Sequence, residues 1–371
     1  MLVYAVIYII LMLSCGFDTK KNTFRRKIDI LLVLVLIFTL FRGLRWEVGT
    51  DWEQYLNVFS NADWNNIFSF KRELEDTMEP GYVALNVLVK KIGGGYTTFL
   101  LITNFFILYS YFILSIHCRK YPIYAFASIL FSVGFFPVRQ NLSVAILLFS
   151  YKYIDERKFI PFMLIVLMAS CFHYYAVLFL LMYLVRDREI SLMMAYVSMF
   201  CCLVFSSILS NLKWEIHAIF AFAPPSVYEK IGIYLGTDFD ARRSVIEVLL
   251  ILIFYSVSHF FVKSLKDNES LYTSYRTFLN ATLIMYCIRF FFQSFGDLGR
   301  LSDFYSIVGS VLLVHSIIYF ISGYNKRVDK CVRLAPLLFV CFFFAYRFVR
   351  IVQYFPNLMF PYQSLYNNLF L

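Results

Sequence analysis

The sequence predicts an all-α polytopic integral membrane protein. Of its 371 residues, 60% are hydrophobic and 20% aromatic, only 16% are charged, and the mean hydropathy is +0.68. Because water cannot cover so much apolar surface, this composition excludes a soluble globular protein. Apolar runs recur along the whole chain, and a helix of about 20 such residues crosses the roughly 30 Å of hydrocarbon in a bilayer.

About 12 apolar runs are predicted as transmembrane helices. In chain order they are 2–16, 28–44, 95–117, 122–137, 140–154, 159–172, 173–185, 190–209, 244–262, 277–293, 302–322 and 334–349. Segment 80–94 is amphipathic, so we expect a helix that lies at the interface or re-enters the membrane, with a full span as the alternative. Residues 1–371 are predicted to form a single polytopic domain, with external loops over 45–94 and 210–243.

The charge of the loops predicts their orientation, because short cytoplasmic loops collect lysine and arginine. The loop after the first run is strongly basic, and alternate later loops repeat this bias up to residues 326–333. Segment 42–79 is comparatively acidic, so it is predicted to lie outside, as are both termini. The formal net charge of +10 is spread over short loops and therefore indicates membrane topology rather than binding to nucleic acid.

Cysteine and histidine patterns favour neither disulfides nor a metal. The eight cysteines lie in predicted spans or at their cytoplasmic ends, so no disulfide framework is expected. Neither CxxC nor HExxH spacing occurs, and the five histidines are scattered. We therefore predict no metal site and no cofactor.

Ionisable residues collect at the predicted outer ends of the spans. They are Arg42, Arg45, Asp51, Glu79, Arg139, His173, Arg289, Arg300 and Asp303. Such groups are costly near hydrocarbon unless they are paired or face water, so several at one depth indicate a polar cavity that opens outward. Guanidinium groups make fixed, bidentate contacts with phosphate oxygens, and aromatic rings stack on sugars. A lipid-linked, phosphorylated saccharide satisfies both features.

The arginines and tryptophans of the first external loop also have a structural interpretation. Arg42 and Arg45 could extend from a helix end towards the interface, with Trp46 and Trp52 as interfacial aromatic residues. Arg139 lies between two apolar runs on the predicted outer side, where the orientation rule disfavours a cation, and this favours a functional role.

The remaining ionisable residues have alternatives of the same kind. His173 could hydrogen-bond a backbone carbonyl. Glu79 before Pro80 could serve to begin a helix, since a carboxylate is favoured at the N-terminal end. Asp303 could be the structural partner of Arg300 at helical i, i+3 spacing.

Four stretches carry a family resemblance: "FRGLRWEVGTDWEQY", "EPGYVALN", "VRQNLSVAILLFSYKYIDERK" and "ASCFHYYAVLFLLMYLV". Their specific marks are "GTDxxxY", the "RQ" that opens a span and the later "FH". In this order and spacing the chain resembles the EpsG-like Wzy family of polysaccharide polymerases. "YEKIGIYLG" and "GRLSDFY" are similar to weaker C-terminal elements of that family, so the resemblance covers most of the chain.

The resemblance implies a metal-independent membrane glycosyltransferase of GT-C-like architecture in the bacterial cytoplasmic (inner) membrane. Such a polymerase takes undecaprenyl-diphosphate-linked oligosaccharide repeats, with its active site facing the periplasm or exterior. It transfers the growing chain to the non-reducing end of a new repeat in O-antigen, capsule or exopolysaccharide biosynthesis. The expected partners are these substrates, membrane lipid, and a chain-length regulator and flippase of the same pathway. A lipid-linked oligosaccharide flippase and an O-antigen ligase are the alternatives.

The chemistry implied by the resemblance assigns expected roles to residues. Arginines stabilise the charge that builds on the leaving lipid diphosphate, and a carboxylate or imidazole takes the proton of the acceptor hydroxyl. The predicted catalytic residues are Asp51 as first candidate for the base, His173 as second, and Arg139. The predicted substrate-binding residues are Arg42, Arg45, Tyr55, Glu79, Gln140, Arg289, Arg300, Asp303 and Tyr305. We expect loop 210–243 to cover the saccharide and help select it.

Overall fold

The computed structural model describes residues 2–19, 22–49, 51–71, 78–118, 121–132, 136–222, 228–229, 232, 245–323, 342, 345–346, 349 and 362–364. Within these residues the chain is 82% helical and has no β-strand. An isolated antiparallel bridge joins Arg45 to Ser364. The predicted all-α class is therefore confirmed.

Two compact units make up the chain. The first comprises Met1–Arg72, Thr77–Val177 and Ile317–Leu371, and the second comprises Glu73–Asp76 and Leu178–Ser316. The sequence-based division into one membrane domain with two external loops stays a prediction. Most of the 210–243 loop and most of the last predicted span, 334–349, lie outside the described residues.

The first unit contains nine α-helices among its described residues. They are α1 (Leu2–Thr19), α2 (Phe24–Gly43), α3 (Trp52–Asn61), α4 (Pro80–Lys91), α5 (Tyr96–His117), α6 (Pro122–Ser132), α7 (Val138–Leu148), α8 (Tyr151–Asp155) and α9 (Phe159–Ser170). A 3-10 turn covers Trp64–Asn66, and a longer 3-10 segment, Tyr174–Leu180, follows α9.

Helix α5 is the centre of the first unit. It packs against α2, α6 and α7, and α7 packs in turn against α9. The contact between α2 and α5 depends on Gly43, because a Cβ there would lie 2.6 Å from a side-chain carbon of Leu101. In the last turn of α1, Asp18 accepts hydrogen bonds from the backbone N–H groups of Ile123 and Tyr124 at 2.7 and 2.9 Å and so caps the start of α6.

The second unit contains α10 (Leu181–Val185), α11 (Leu192–Asn211), α12 (Lys213–Ile219), α13 (Val245–Lys263), α14 (Glu269–Phe291) and the start of α15 (Asp303–Gly323). Short 3-10 segments cover Phe220–Phe222 and Gly296–Ser302. Helix α14 packs against α11 and α13. Only 17% of the apolar window of α11 and 28% of that of α13 are buried within the protein, as expected of helices whose outer faces contact lipid.

Among the described residues, four helices are long and apolar enough to cross a membrane. They are Tyr96–His117, Leu192–Asn211, Val245–Lys263 and Leu298–Phe320. Helices such as α6 and α9 have 11 and 12 residues. At 1.5 Å per residue they extend only about 18 Å, which is short of a full span.

The prediction of about 12 spans is therefore not confirmed in that detail, because hydropathy counts apolar residues whether or not they form one continuous helix. Predicted spans 122–137 and 159–172 contain helices that end at Ser132 and Ser170, and the predicted span 173–185 is mostly 3-10 helix. Helix α4, in the predicted amphipathic segment, has 12 residues.

Candidate active site

The end of α2 carries two arginines into the interior of the first unit. Arg42 is 0% exposed and Arg45 is 2% exposed. Arg42 lies beside the Tyr111 side chain of α5. Burial of a guanidinium is expensive unless an anion or several acceptors compensate its charge. These side chains are therefore not extended to the interface, which was the structural alternative considered for them.

Arg45 has few interactions for a buried cation. Its Nη2 donates to the carbonyl oxygen of Phe136 at 2.9 Å, and its guanidinium carbon lies 4.7 Å from the centre of the Phe136 ring. Its Nε and Nη1 have no hydrogen-bond partner among the described residues, and no described carboxylate forms an ion pair with it. Gly49, the glycine of "GTD", permits the loop after α2 to lie close to Phe136. It has a φ of 111°, and a Cβ there would lie 3.0 Å from Phe136.

The "EPGY" stretch brings Glu79 to Arg139. Glu79 precedes the first residue of α4, Arg139 lies in the first turn of α7, and their Oε2 and Nη1 atoms are 2.7 Å apart. Glu79 Oε1 also accepts from the backbone N–H of Tyr174 at 3.3 Å. Gly81 fits only without a side chain, because a Cβ there would lie 2.8 Å from the carbonyl oxygen of Cys171. Glu79 thus joins the starts of α4, α7 and the 3-10 segment after α9.

Further buried hydrogen-bond donors lie in the same unit as these two arginines, in one cluster of buried residues that includes Trp52, Tyr55 and Tyr82. The Tyr82 hydroxyl is within electrostatic range of both Arg45 and Arg139, and the Tyr55 ring lies 5.5 Å from the Tyr82 ring. Among the described residues, the Tyr82 hydroxyl, Trp52 Nε1, Arg139 Nε, and Nε and Nη1 of Arg45 have no hydrogen-bond partner. We call Arg45, Trp52, Tyr82 and Arg139 the donor cluster. An unpaired buried donor costs about 1–3 kcal/mol, so an anion that accepts these bonds would be strongly stabilised.

Asp51 lies at the edge of this region, immediately before α3. Its carboxylate makes no capping bond to the helix, and Oδ2 is 3.5 Å from the Tyr55 hydroxyl. It is half-buried. A carboxylate that is accessible and not held by an ion pair is suited to accept a proton.

His173 and Gln140 belong to the same unit. His173 is half-buried, directly after the turn that ends α9, with its ring 5.5 Å from that of Tyr175. Gln140 follows Arg139 on α7 and is half-buried. The first unit therefore contains eight of the twelve predicted site residues: Arg42, Arg45, Asp51, Tyr55, Glu79, Arg139, Gln140 and His173.

The other predicted site residues belong to the second unit. Arg289 Nε donates to Ser302 Oγ at 2.8 Å, and its Nη2 is 3.6 Å from Asp303 Oδ1. The Tyr305 hydroxyl donates to the Leu178 carbonyl oxygen at 2.7 Å and its ring stacks on Phe179. Arg300 is exposed. Arg289 is thus a partner of Asp303, a pairing that the i, i+3 spacing of Arg300 and Asp303 does not predict.

Two members of the donor cluster were missed as site residues. Tyr82 directly follows the glycine of "EPGY", and Trp52 directly follows the aspartate of "GTD", so both lie in the motifs that carry the family resemblance. An interfacial position was one of two interpretations of Trp52, which is 6% exposed and packs edge-on against Tyr96. Among the described residues, no group of three or more histidine, cysteine or acidic side chains could hold a metal ion.

The apolar helices and the buried donor cluster define an integral membrane protein with a polar interior site. The model of the EpsG family matches residues 29–364, and the chain belongs to this family of Wzy-like polysaccharide polymerases. A search of curated proteins and a search of solved structures each found no match.

Proposed function

We propose that the protein polymerises oligosaccharide repeats carried on a lipid diphosphate, undecaprenyl diphosphate, at the outer face of the bacterial inner membrane. The growing chain leaves its carrier and is joined to the non-reducing end of the next repeat. Family membership supports polymerisation. The observation that carries the choice of substrate is Arg45, a buried cation without a carboxylate partner among the described residues and near the Tyr82 hydroxyl, which has no hydrogen-bond partner there either.

The donor cluster has the chemistry required to bind a diphosphate. Every one of its unpaired atoms is an N–H or O–H donor, and phosphate oxygens only accept hydrogen bonds. Arg139 already shares its charge with Glu79, so Arg45 supplies the uncompensated positive charge. We therefore rank Arg45 first for the diphosphate, Arg139 second, and Arg42 as a further source of positive charge behind them.

In the proposed reaction, the bond between the anomeric carbon and the diphosphate oxygen breaks, and its electron pair stays on that oxygen. Negative charge therefore grows on the diphosphate as the transition state forms. Donors held in place beside the diphosphate would stabilise the transition state more than the ground state. An acceptor hydroxyl oxygen forms the new glycosidic bond and transfers its proton to a base.

Asp51 is the proposed base. Glu79 is less suited, because Arg139 and the backbone N–H of Tyr174 already engage its two carboxylate oxygens. His173 is the second candidate. A chain-length regulator and a flippase of the same pathway are proposed as functional partners, since polymerisation at the outer face requires a supply of repeats there.

The test compares surface polysaccharide on gels from a strain that lacks the gene and carries wild type, Arg45→Gln or Arg25→Gln. Arg25 is the matched control, because it is an exposed arginine at the other end of the same helix. We expect wild type and Arg25→Gln to give a ladder of chain lengths, and Arg45→Gln to give a single lipid-bound repeat.

Other outcomes identify other functions. If the strain without the gene still makes long chains that stay on the lipid carrier, the protein is a ligase. If its repeats are trapped on the cytoplasmic side, the protein is a flippase. A normal ladder from Arg45→Gln, at equal protein level, would remove Arg45 from the proposed site.

A further inference from the structure

The second unit contains a cavity of about 410 Å³ that has no part in the proposed reaction. It lies where α11 begins, α13 ends and α14 begins, so its walls come from three helix ends. The charged residues of its lining are mostly basic: Lys263, Lys266 and Arg276, against the single carboxylate of Glu189. The cavity therefore has an excess of positive charge.

Glu189 is fully engaged by neighbours within the cavity. Its Oε1 accepts from the Tyr272 hydroxyl at 2.7 Å, and its Oε2 accepts from Lys266 Nζ at 3.3 Å. The pKa of Glu189 is lowered by the hydrogen bond from Tyr272 and by the Lys266 ammonium, so the carboxylate stays charged. Asn280 fixes the loop that carries Glu189 by donating to the carbonyl oxygens of Val185, Arg186 and Arg188.

Two cations retain capacity for a ligand. Lys263 is exposed and forms no ion pair with any described residue. Arg276 Nη2 lies 3.7 Å from Asp187 Oδ1, and Arg276 Nη1 lies 3.9 Å from Glu189 Oε1, so both of its ion pairs are long. Among the described residues, the cavity thus presents an ammonium without an ion pair and a guanidinium held only by long ion pairs, beside a carboxylate that is already satisfied.

The apolar surroundings of the cavity favour a lipid as the source of the anion. Phe260 lines the cavity and is 52% exposed, and Met193 and Met194, at the start of α11, are 76% and 62% exposed. Both α11 and α13 are helices long and apolar enough to span the membrane, and the cavity lies at their polar ends. A headgroup in the cavity would therefore have its acyl chains beside exposed apolar side chains.

We propose that this cavity binds the phosphate of an anionic phospholipid, with Lys263, Lys266 and Arg276 contacting its oxygens. Positive charge in the loops predicts that this end faces the cytoplasm, where anionic headgroups are abundant. Because the cavity takes no part in the proposed reaction, lipid binding is measured without polymer synthesis. A protein that binds no lipid here would leave the proposed function intact.

The test uses the full chain purified in a neutral detergent, with thermal midpoint measured against added phosphatidylglycerol, phosphatidylcholine or inorganic phosphate. We expect phosphatidylglycerol to raise the midpoint in a saturable manner and phosphatidylcholine to have little effect. Lys263→Gln should weaken the apparent affinity about fivefold, because one lysine beside an anionic headgroup contributes about that factor. Lys263→Gln removes no ion pair among the described residues, so the variant is expected to fold.

Lys152→Gln is the control, because Lys152 is an exposed lysine of the first unit. It should bind phosphatidylglycerol as wild type does. Equal affinity of wild type and Lys263→Gln for phosphatidylglycerol would overturn the proposal. If inorganic phosphate raises the thermal midpoint and phosphatidylglycerol does not raise it further, the assignment to a lipid is overturned.

Discussion

The Glu79 carboxylate lies 2.7 Å from the Arg139 guanidinium and joins the first turns of α4 and α7, which are about sixty residues apart along the chain. Both side chains are largely buried, at 5% and 14% exposure. Removing one partner of such a pair leaves an uncompensated charge in a dry environment, which is more damaging than removing both. The pair therefore has a structural role that can be separated from any role in the reaction.

We expect Arg139→Gln to destabilise the protein by about 3 kcal/mol, because it leaves Glu79 buried without its cation. The double variant Glu79→Gln/Arg139→Gln should recover much of the thermal midpoint, since neither charge then remains. It should not recover polymer, because the donor cluster still lacks the Arg139 guanidinium. Thermal midpoint and polysaccharide ladders measure the two effects. If the double variant restores the ladder, Arg139 has only a structural role.

For Arg45 we expect a substitution to reduce activity without reducing stability. We expect Arg45→Met to lower polymerisation about 100- to 1,000-fold, the usual effect of removing a fixed donor from a developing negative charge. It should not lower the thermal midpoint, because the desolvation cost of a buried cation without a carboxylate partner is removed with it. The rate is measured with purified protein and lipid-diphosphate-linked repeats. A variant that fails to accumulate would instead assign Arg45 to the stability of the fold.

Gly81 lies where α4 approaches the end of α9, and its substitution tests whether this close contact is required for stability and activity. In Gly81→Ala the new Cβ would lie 2.8 Å from the Cys171 carbonyl oxygen, which is backbone and cannot turn away. We expect a loss of about 1–3 kcal/mol in stability and a displaced Glu79. Gly16→Ala is the control, since a Cβ there meets nothing within 4 Å and alanine favours a helix. An unchanged thermal midpoint and ladder in Gly81→Ala would show that the backbone at this contact shifts to accept a Cβ at little cost.

The motifs predicted much of the candidate site because their residues act through local geometry. Gly49 and Gly81 lie where a side chain would collide with Phe136 or Cys171, and Glu79 begins a helix while it binds Arg139. Each of these positions requires one residue type, and a motif specifies that type. The buried position of Trp52 was not predictable in this way, because an aromatic residue next to a charged loop is equally typical of a membrane interface.

The number of spans was harder to predict than the helical class. An apolar run such as 159–185 has the composition of two spans, yet the chain divides it into α9, a turn, a 3-10 segment and the short helix α10. Backbone geometry of this kind depends on contacts such as the bond from Tyr174 N–H to Glu79, which joins residues far apart in the chain. Hydropathy does not include those contacts.

Asp51 and His173 are the two candidates for the base, and substitution separates them. We expect Asp51→Asn to lower the rate of chain growth by about 100-fold or more at unchanged protein level, because the amide cannot accept the acceptor's proton. Asp51→Glu should retain part of the rate, since it keeps the carboxylate. Tyr55→Phe should have a smaller effect, because its hydroxyl is 3.5 Å from Asp51 Oδ2 and only orients that carboxylate. His173→Gln is measured in parallel. If Asp51→Asn polymerises normally while His173→Gln does not, the proton is taken by the imidazole instead.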